Sequence, residues 1–491
     1  MARVPDDRIE RLNERSASPD GKFVVYWMTS ARRVTENFAL DRALEWCREL
    51  QKPLVILEAL RSDYPWASER FHRFVMDGML DNERALEDTP ATYYAYLEPT
   101  RGAGKGLLES LALESCVIVT DRFPCYFLPA MHRAAAAKVD VRFEAVDTNG
   151  LLPLSVAPKP FARAVDFRRF LQRNLEPYLM AGPLERPFAA GPIPRLPELP
   201  SSITERWVPA RTEDLVGDAV LSRLPIDHSV GAVDVRGGSE AAGQVLSHFL
   251  ESALFDYGED RNVVDASGTS GLSPYLHFGH VSTWRVWRAI ADGCAWTPDR
   301  LGSVRNGSRS GWWGLPEGVE GFLDQLVTWR ELGYVFCDQR PDYDRYASLP
   351  DWARSTLEDH VADHRPYSYD LETLENADSH DEIWNAAQTQ LRREGRIHNY
   401  LRMLWGKKVL EWTEHPEVSL QYLVDLNNRY ALDGRNPNSY SGIFWTFGRF
   451  DRAWGPERPI YGKVRYMSSD NTRRKLKLAD YLERYAEEGA S

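Results

Sequence analysis

The sequence predicts a two-part protein: a doubly wound parallel α/β domain, then an all-helical domain, joined by a long proline-rich connector. Three observations carry this. Residues 22–150 alternate apolar strand-like runs with helical patterns. Six prolines (183, 187, 192, 194, 197 and 200) crowd the stretch after Ala181. From Ser239 onward the periodicity is helical and no strand-like series returns. The expected divisions are 20–155 for the α/β domain, 156–237 for the connector and 238–485 for the helical domain.

The five strand-like runs are 23–28, 54–57, 93–97, 116–119 and 141–143. Each is almost continuously apolar, as strands buried on both faces are. The gaps leave room for crossover helices such as 37–50 and 68–80, hence a βαβ series and a parallel sheet. No GxGxxG follows the first run, so the dinucleotide fingerprint is absent. The six prolines exclude one helix or a central strand there, and predict an extended connector. Ser239 can cap a helix that carries Ala242, Leu246, Phe249, Leu250, Ala253 and Leu254 on one face.

Composition bounds the function. The 491 residues are 43% hydrophobic and 27% charged, which suits a globular chain of two or three domains. No apolar run is long enough to span a membrane, and the N-terminus lacks a secretory core. Five scattered cysteines show no CxxC or Cys/His metal spacing, so a reducing cytoplasmic (or nucleoid-associated) setting and no metal are expected. A net charge of −12 argues against a broad basic surface but leaves room for a local one. Lys463, Arg465, Arg473, Arg474, Lys475 and Lys477 form the clearest basic run; a solvated helix face is the default reading, and phosphate contact the functional one.

The densest chemistry lies in 384–412, WNAAQTQLRREGRIHNYLRMLWGKKVLEW. His398, Arg402, Trp405, Val409 and Trp412 form one helical stripe, with Trp405 and Trp412 two turns and about 10 Å apart. His, Arg and Trp mixed in one stripe is unusual for a plain core, because each brings polar atoms that need partners. Upstream, Gly268-Thr269-Ser270-Gly271-Leu272-Ser273-Pro274 reads as a helix start, whose hydroxyls and amides suit an anion such as a pyrophosphate.

Segment 384–412 resembles the flavin-domain signature of the photolyase/cryptochrome family, most closely the class II cyclobutane-pyrimidine-dimer DNA photolyases. The likeness runs through Trp384-Asn385-Ala386-Ala387-Gln388, 394–405 (EGRIHNYLRMLW) and 407–412 (KKVLEW). It continues through 432–438 (LDGRNPN) and 457–467 (ERPIYGKVRYM). It is specific over roughly residues 250–480 and weaker in the N-terminal third.

The resemblance implies FAD in the helical domain. Thr269, Ser270, Gly271, Leu272 and Ser273 would hold its phosphates, and Tyr257, twelve residues before Thr269, would contact the flavin. Asn399, Arg402, Asp433, Gly434, Arg435, Trp329 and Glu331 would line it, with Asn427 facing the reactive ring nitrogen. Trp405, Trp384 and Trp412 match the family's electron-transfer tryptophans, relaying an electron from the surface. Trp329 and Trp445 would sandwich a flipped-out dimer, Met403 would touch it, and Arg261 and Asn262 would contact DNA. Photolyases are among the enzymes known to extrude a base. The resemblance also implies an antenna chromophore of deazaflavin type in the N-terminal domain.

One departure stands out. Where class II enzymes read E-L-I-V-x-R-E, this chain has Asp324-Gln325-Leu326-Val327-Thr328-Trp329-Arg330-Glu331, so the family's Glu is Gln325. Gln keeps hydrogen bonds and loses the charge and the proton. The expected function is light-driven, FAD-dependent repair of pyrimidine dimers in UV-damaged DNA by a monomer that is not secreted. Two rivals stand beside it. One is a cryptochrome-like photoreceptor with the same flavin and tryptophans, although the chain lacks a long tail after Met467. The other is a nucleic-acid-binding flavoprotein without photochemistry, which retention of all three tryptophans argues against.

Overall fold

The computed structural model describes residues 3–261, 263–264 and 268–486. The chain falls into two compact units whose segments interleave. One comprises Met1–Pro158, Leu175–Ser247 and Leu272–Trp296; the other comprises Lys159–Asn174, His248–Gly271 and Thr297–Ser491.

The first unit is built on a six-stranded sheet: β1 (Ile9–Arg11), β2 (Phe23–Trp27), β3 (Leu54–Leu60), β4 (Thr92–Leu97), β5 (Ser115–Asp121) and β6 (Arg142–Val146). The order is β1-β6-β5-β2-β3-β4. Five strands are parallel, and β2 and β5 are buried along their whole length, as their apolar runs require. Strand β1 pairs antiparallel with β6 and is additional to the five expected. Its three residues, Ile-Glu-Arg, are too few and too polar to show a strand period.

Helix α1 (Phe38–Leu50) starts where Asn37 accepts hydrogen bonds from the amides of Ala39 and Leu40, and α2 spans Glu69–Leu86. The strand order reverses between β2 and β5, where such sheets bind ligands. Here Asp121, at the end of β5, accepts the amides of Thr29, Ser30 and Ala31 at 2.7, 2.8 and 3.0 Å and the Tyr26 hydroxyl at 2.7 Å. A carboxylate of the chain itself thus fills the amide nest after β2, in keeping with the missing glycine fingerprint.

Most of the stretch read as a connector is not a free linker. Residues 175–247 cluster with the sheet. Ile203 and Trp207 are buried in its core, and Trp207 Nε1 donates to the Ala103 carbonyl at 2.9 Å. Leu215, Leu221 and Leu224 join a second cluster on α2 and β4. The prolines break the stretch into short turns such as Pro187–Ala190, and the apolar residues that follow them strap the segment down. Ser239 also differs from expectation: it opens the helix Ser239–Ser252, and its hydroxyl donates to the His280 carbonyl at 2.9 Å. The capping oxygen comes from Asp81, which accepts the Glu240 amide at 3.0 Å.

The second unit is helical, and no strand ladder occurs among its described residues. Its main elements are α3 (Ala164–Asn174), α4 (Glu317–Leu323), a π-helical turn (Asp324–Trp329), α5 (Arg330–Gln339), α6 (Glu382–Glu394), α7 (Asn399–Trp412), α8 (Pro416–Tyr430) and α9 (Pro437–Thr446). Asp381 caps α6 through the amides of Ile383 and Trp384, and Gly395 closes it at φ +70°. Helix α7 is buried on nearly all sides, which makes it the centre of this unit. Glycines let α9 approach closely. A Cβ on Gly406 would meet Thr446 Oγ1 at 2.7 Å, and one on Gly333 would meet Asn438 Oδ1 at 2.8 Å. Among the described residues no helix is long and apolar enough to cross a membrane.

Candidate active site

The three tryptophans of 384–412 form one buried series. Trp384 on α6 lies parallel to Trp405 on α7, with centroids 6.5 Å apart and planes at 4°. Trp384 also meets Trp412 edge-on at 5.5 Å and 69°. The order in space is therefore Trp405, Trp384, Trp412. Trp405 and Trp412 share a helix face, and a ring from α6 fills the interval between them. Trp384 Nε1 donates to the Trp405 carbonyl and Trp405 Nε1 to Gln388 Oε1, both at 3.0 Å. Gln388 was not singled out from the sequence. Its spacing of four from Trp384 puts it on the same helix face, and that was the available signal.

Two expectations about this series need correction. His398 lies outside α7 as its N-cap residue, so the helical stripe begins at Arg402. The series also stops short of the surface, because Trp412 is only 1% exposed. The hydrophobic side of α7 draws Trp412 inward, and other aromatics lie beyond it.

At the N-terminal end of α7, Asn399 is exposed and Arg402 half-buried. Arg402 Nη2 faces Asp433 Oδ1 at 3.5 Å, a loose pair open to solvent on one side. Asn427 and Asn428 are buried inside α8 rather than in a turn, and Asn427 Nδ2 donates to Asn428 Oδ1 at 3.2 Å. Asn428 in turn organises the 431–436 turn: its Oδ1 accepts the Arg435 amide at 2.8 Å, and its carbonyl accepts Arg435 Nη1 at 2.9 Å. Gly434 sits where a Cβ would come within 2.8 Å of the Asn427 carbonyl, so α8 and this turn close tightly beside Asp433. A half-buried guanidinium and carboxylate near the amides of α8 suit the mixed donor and acceptor edge of a planar heterocycle such as FAD's ring.

The π-helical turn 324–329 carries Gln325 and Trp329, and α5 continues it with buried Glu331. Arg168 on α3 holds Asp324 by a bidentate, buried pair at 2.7 and 2.9 Å. Gln325 is half-buried, and its amide makes no hydrogen bond among the described residues. Trp329 and Trp445 stack directly on one another, with centroids 4.8 Å apart and planes at 22°. The two rings form one aromatic surface here, and a base enters between them only if they part. Gly333 explains the close stack by bringing α5 and α9 together. Met403 lies half-buried on α7. A π turn inside a helix is rare and frequently marks a functional site.

Tyr257 is buried against Phe249 and Phe322, and Arg261 lies over its ring at 5.8 Å. Asn262 lies outside the described residues. In the loop after it, Thr269, Gly271 and Ser273 are exposed, Ser270 is half-buried and Leu272 is buried. Gly271 takes φ +64° just before the short helix Ser273–Phe278. The basic run is partly neutralised: Lys463 pairs with Glu457 at 3.1 Å, Arg465 with Asp451 at 3.2 Å, and Arg473 with Glu382. Arg474, Lys475 and Lys477 are exposed. No group of residues with metal-ligand character occurs among the described residues.

Comparison with known proteins gives these features a context. A scan of family profiles matches none. The chain is 34% identical to a deoxyribodipyrimidine photo-lyase of Methanothermobacter thermautotrophicus, over 97% of this chain and 98% of that one. It is 32% identical to proteins of that name from Oryza sativa and Potorous tridactylus, over 97% and 93% of this chain and 89% and 80% of theirs. Among solved structures, a class III photolyase of Agrobacterium tumefaciens superposes with a TM-score of 0.66, covering 96% of this chain and 88% of that one at 17% identity. A photolyase of Sulfolobus tokodaii, solved with two FAD molecules, gives 0.62 over 95% and 90% at 14% identity. The sheet unit and the helical unit match the two-part fold of these photolyases. The chain belongs to the photolyase/cryptochrome family, with its two-part α/β and helical fold.

Proposed function

We propose that this protein is a class II-like DNA photolyase that splits cyclobutane pyrimidine dimers in UV-damaged DNA. Bound FAD would supply light-driven one-electron chemistry. Arg402, Asp433 and Asn399 would hold the ring edge, and Asn427 would present an amide that can both donate and accept. Thr269, Ser270, Gly271, Leu272 and Ser273 would meet the phosphates, with Tyr257 close by; Trp329, Glu331, Gly434 and Arg435 complete the lining. Trp405, Trp384 and Trp412 would return electrons to the cofactor. On the DNA side, Trp329 and Trp445 would part or turn to stack on the extruded dimer, each base stack contributing about 1–3 kcal/mol. Met403 would close the pocket, and Arg261 and Asn262 would meet the backbone.

The single observation that carries this reading is the parallel Trp384–Trp405 stack continued by Trp412. A plain core would satisfy three indoles in any orientation; an unbroken ring-to-ring series in the dry centre of the unit suits electron hopping. Trp405→Phe tests it. Packing and cofactor binding should persist while photoreduction by an external thiol slows at least tenfold in a light-minus-dark absorption measurement. Unchanged photoreduction would reduce the series to packing.

Gln325 favours a second reading, a photoreceptor with the same cofactor and relay but little repair. In both readings the sheet unit would hold a light-harvesting chromophore of deazaflavin type beyond the C-terminal strand ends. Tyr64, His72 and Phe127 stack there.

A further inference from the structure

The indole series ends on a buried ring, yet an electron relay must reach something that solvent reductants can reach. Beyond Trp412 lie three more rings. Tyr369 meets Trp412 edge-on at 5.4 Å, and His380 meets it at 5.3 Å. Tyr367 lies flat on His380 with centroids 3.5 Å apart, and is 48% exposed. The backbone holds this cluster in place. The Tyr369 amide donates to the Trp412 carbonyl at 3.2 Å, so the segment before α6 is fastened to the end of α7.

The hydrogen bonds around Tyr369 point one way. The His380 backbone amide donates to the Tyr369 hydroxyl oxygen at 3.0 Å, and that oxygen lies 2.7 Å from His380 Nδ1. The oxygen already accepts one hydrogen bond, and its single proton is directed along the short contact to Nδ1. The tautomer with Nε2 protonated then accepts it.

We propose that Tyr369 and His380 form a proton-coupled end to the relay: Tyr369 gives an electron to oxidised Trp412 while its phenolic proton passes to Nδ1 of His380. The step balances. Trp412 cation radical, neutral tyrosine and neutral imidazole become neutral tryptophan, a neutral tyrosyl radical and an imidazolium. A solvent thiol then returns one electron, and the imidazolium returns the proton. The proposal rests on the tryptophan relay put forward above. Its gain is irreversibility: a neutral tyrosyl radical does not recombine as readily as a tryptophan cation.

The surroundings keep His380 a ready acceptor. Burial of part of the ring lowers its pKa from 6.5; Asp381 and Glu411 raise it, and Lys408 lowers it. Lys408 is itself held by Glu411 at 3.1 Å and Asp381 at 3.9 Å. Tyr367, Tyr369 and Trp412 supply the remaining faces. His380 is therefore neutral at pH 7, and its exposed side gives the proton a way to water. Tyr369 is the relay residue, and His380 positions and deprotonates it.

The test uses the full-length, FAD-loaded protein without DNA, flashed with blue light and followed by transient absorption and electron paramagnetic resonance. A tryptophan radical should form first and convert to a neutral tyrosyl radical, more slowly in deuterated water. The tyrosyl yield should rise with pH through a midpoint below 6.5, since protonated His380 accepts nothing. Tyr369→Phe should abolish the tyrosyl signal, keep the tryptophan signal and lower lasting photoreduction severalfold. His380→Gln should remove the pH step, and added imidazole should restore tyrosyl yield. A tryptophan radical that decays identically in Tyr369→Phe and the unaltered protein, or a pH step that survives His380→Gln, overturns the proposal. No tryptophan radical in the unaltered protein, with Trp405→Phe equally silent, overturns the relay and this proposal together.

Discussion

Gln325 stands where the resemblance to class II enzymes leads one to expect a glutamate, and its setting gives that difference a physical meaning. The amide sits half-buried on the π turn, four residues before Trp329, with no hydrogen bond among the described residues. An amide can donate to a dimer carbonyl, so binding should survive the exchange of Glu for Gln. It cannot share a proton with a charged intermediate, and only interactions stronger in the transition state raise the rate. Gln325→Glu should raise dimer splitting per absorbed photon with little change in affinity. A difference of about 1.4 kcal/mol would appear as a tenfold change in splitting rate. Quantum yield and dimer-DNA binding, measured side by side, check this; equal shifts in both would make residue 325 a binding residue only.

The residues around it were legible to different degrees. Trp384, Trp405 and Trp412 could be picked out because bulky rings at helical spacing leave a mark in sequence. Their order in space could not, because it depends on how α6 crosses α7. Likewise Asn427 and Asn428 look like turn residues in isolation, and only burial against the 431–436 turn keeps them helical. The Trp329–Trp445 stack was hidden for a similar reason: it follows from close packing at Gly333.

At the scale of elements, the π turn depends on a residue far away in sequence. Arg168 on α3 meets Asp324 across 156 residues, and no local pattern announces such a pair. Removing the guanidinium would strand a buried carboxylate, a loss of about 3–5 kcal/mol for a broken buried pair. Arg168→Ala should therefore lower the denaturation midpoint strongly, and Asp324→Asn in the same chain should recover part of that loss by removing the stranded charge. No recovery would mean that α3 packing, not the ion pair, holds the turn. The strands show the opposite case. Four of the five runs read from sequence extend by one to three residues in the structure, because near-continuous apolar runs are their own signal. The short polar β1 carries no such signal and forms only because β6 offers an edge.

At the scale of the whole molecule, the chain passes between its two units several times, so no single cut separates them. The proline-rich stretch hides this: its composition is that of a linker, while Trp207 and the leucines after it are core residues. Stability should also respond to pH through Lys407, which is buried on α7 and donates to the Thr446 carbonyl. Desolvation holds its pKa down at about 7 against an ordinary 10.5. Below about pH 7 both folded and unfolded forms carry the charge, and the folded form bears the full desolvation cost. Between about 7 and 10.5 the unfolded chain binds more protons, so Lys407 contributes a rise in stability with pH across that window. Lys407→Met should flatten the rise, as thermal denaturation at several pH values would record; an unchanged slope would show that the amine is solvated.

Repair of a dimer-containing oligonucleotide under blue light, scored by loss of the dimer in lit and dark samples of the FAD-loaded protein, tests the central claim most directly. Dimers should be lost in the light only, at a yield that Gln325→Glu increases. Efficient photoreduction of the bound flavin, with dimers left intact by both the natural protein and the Gln325→Glu variant, would contradict it and assign the same site to light sensing.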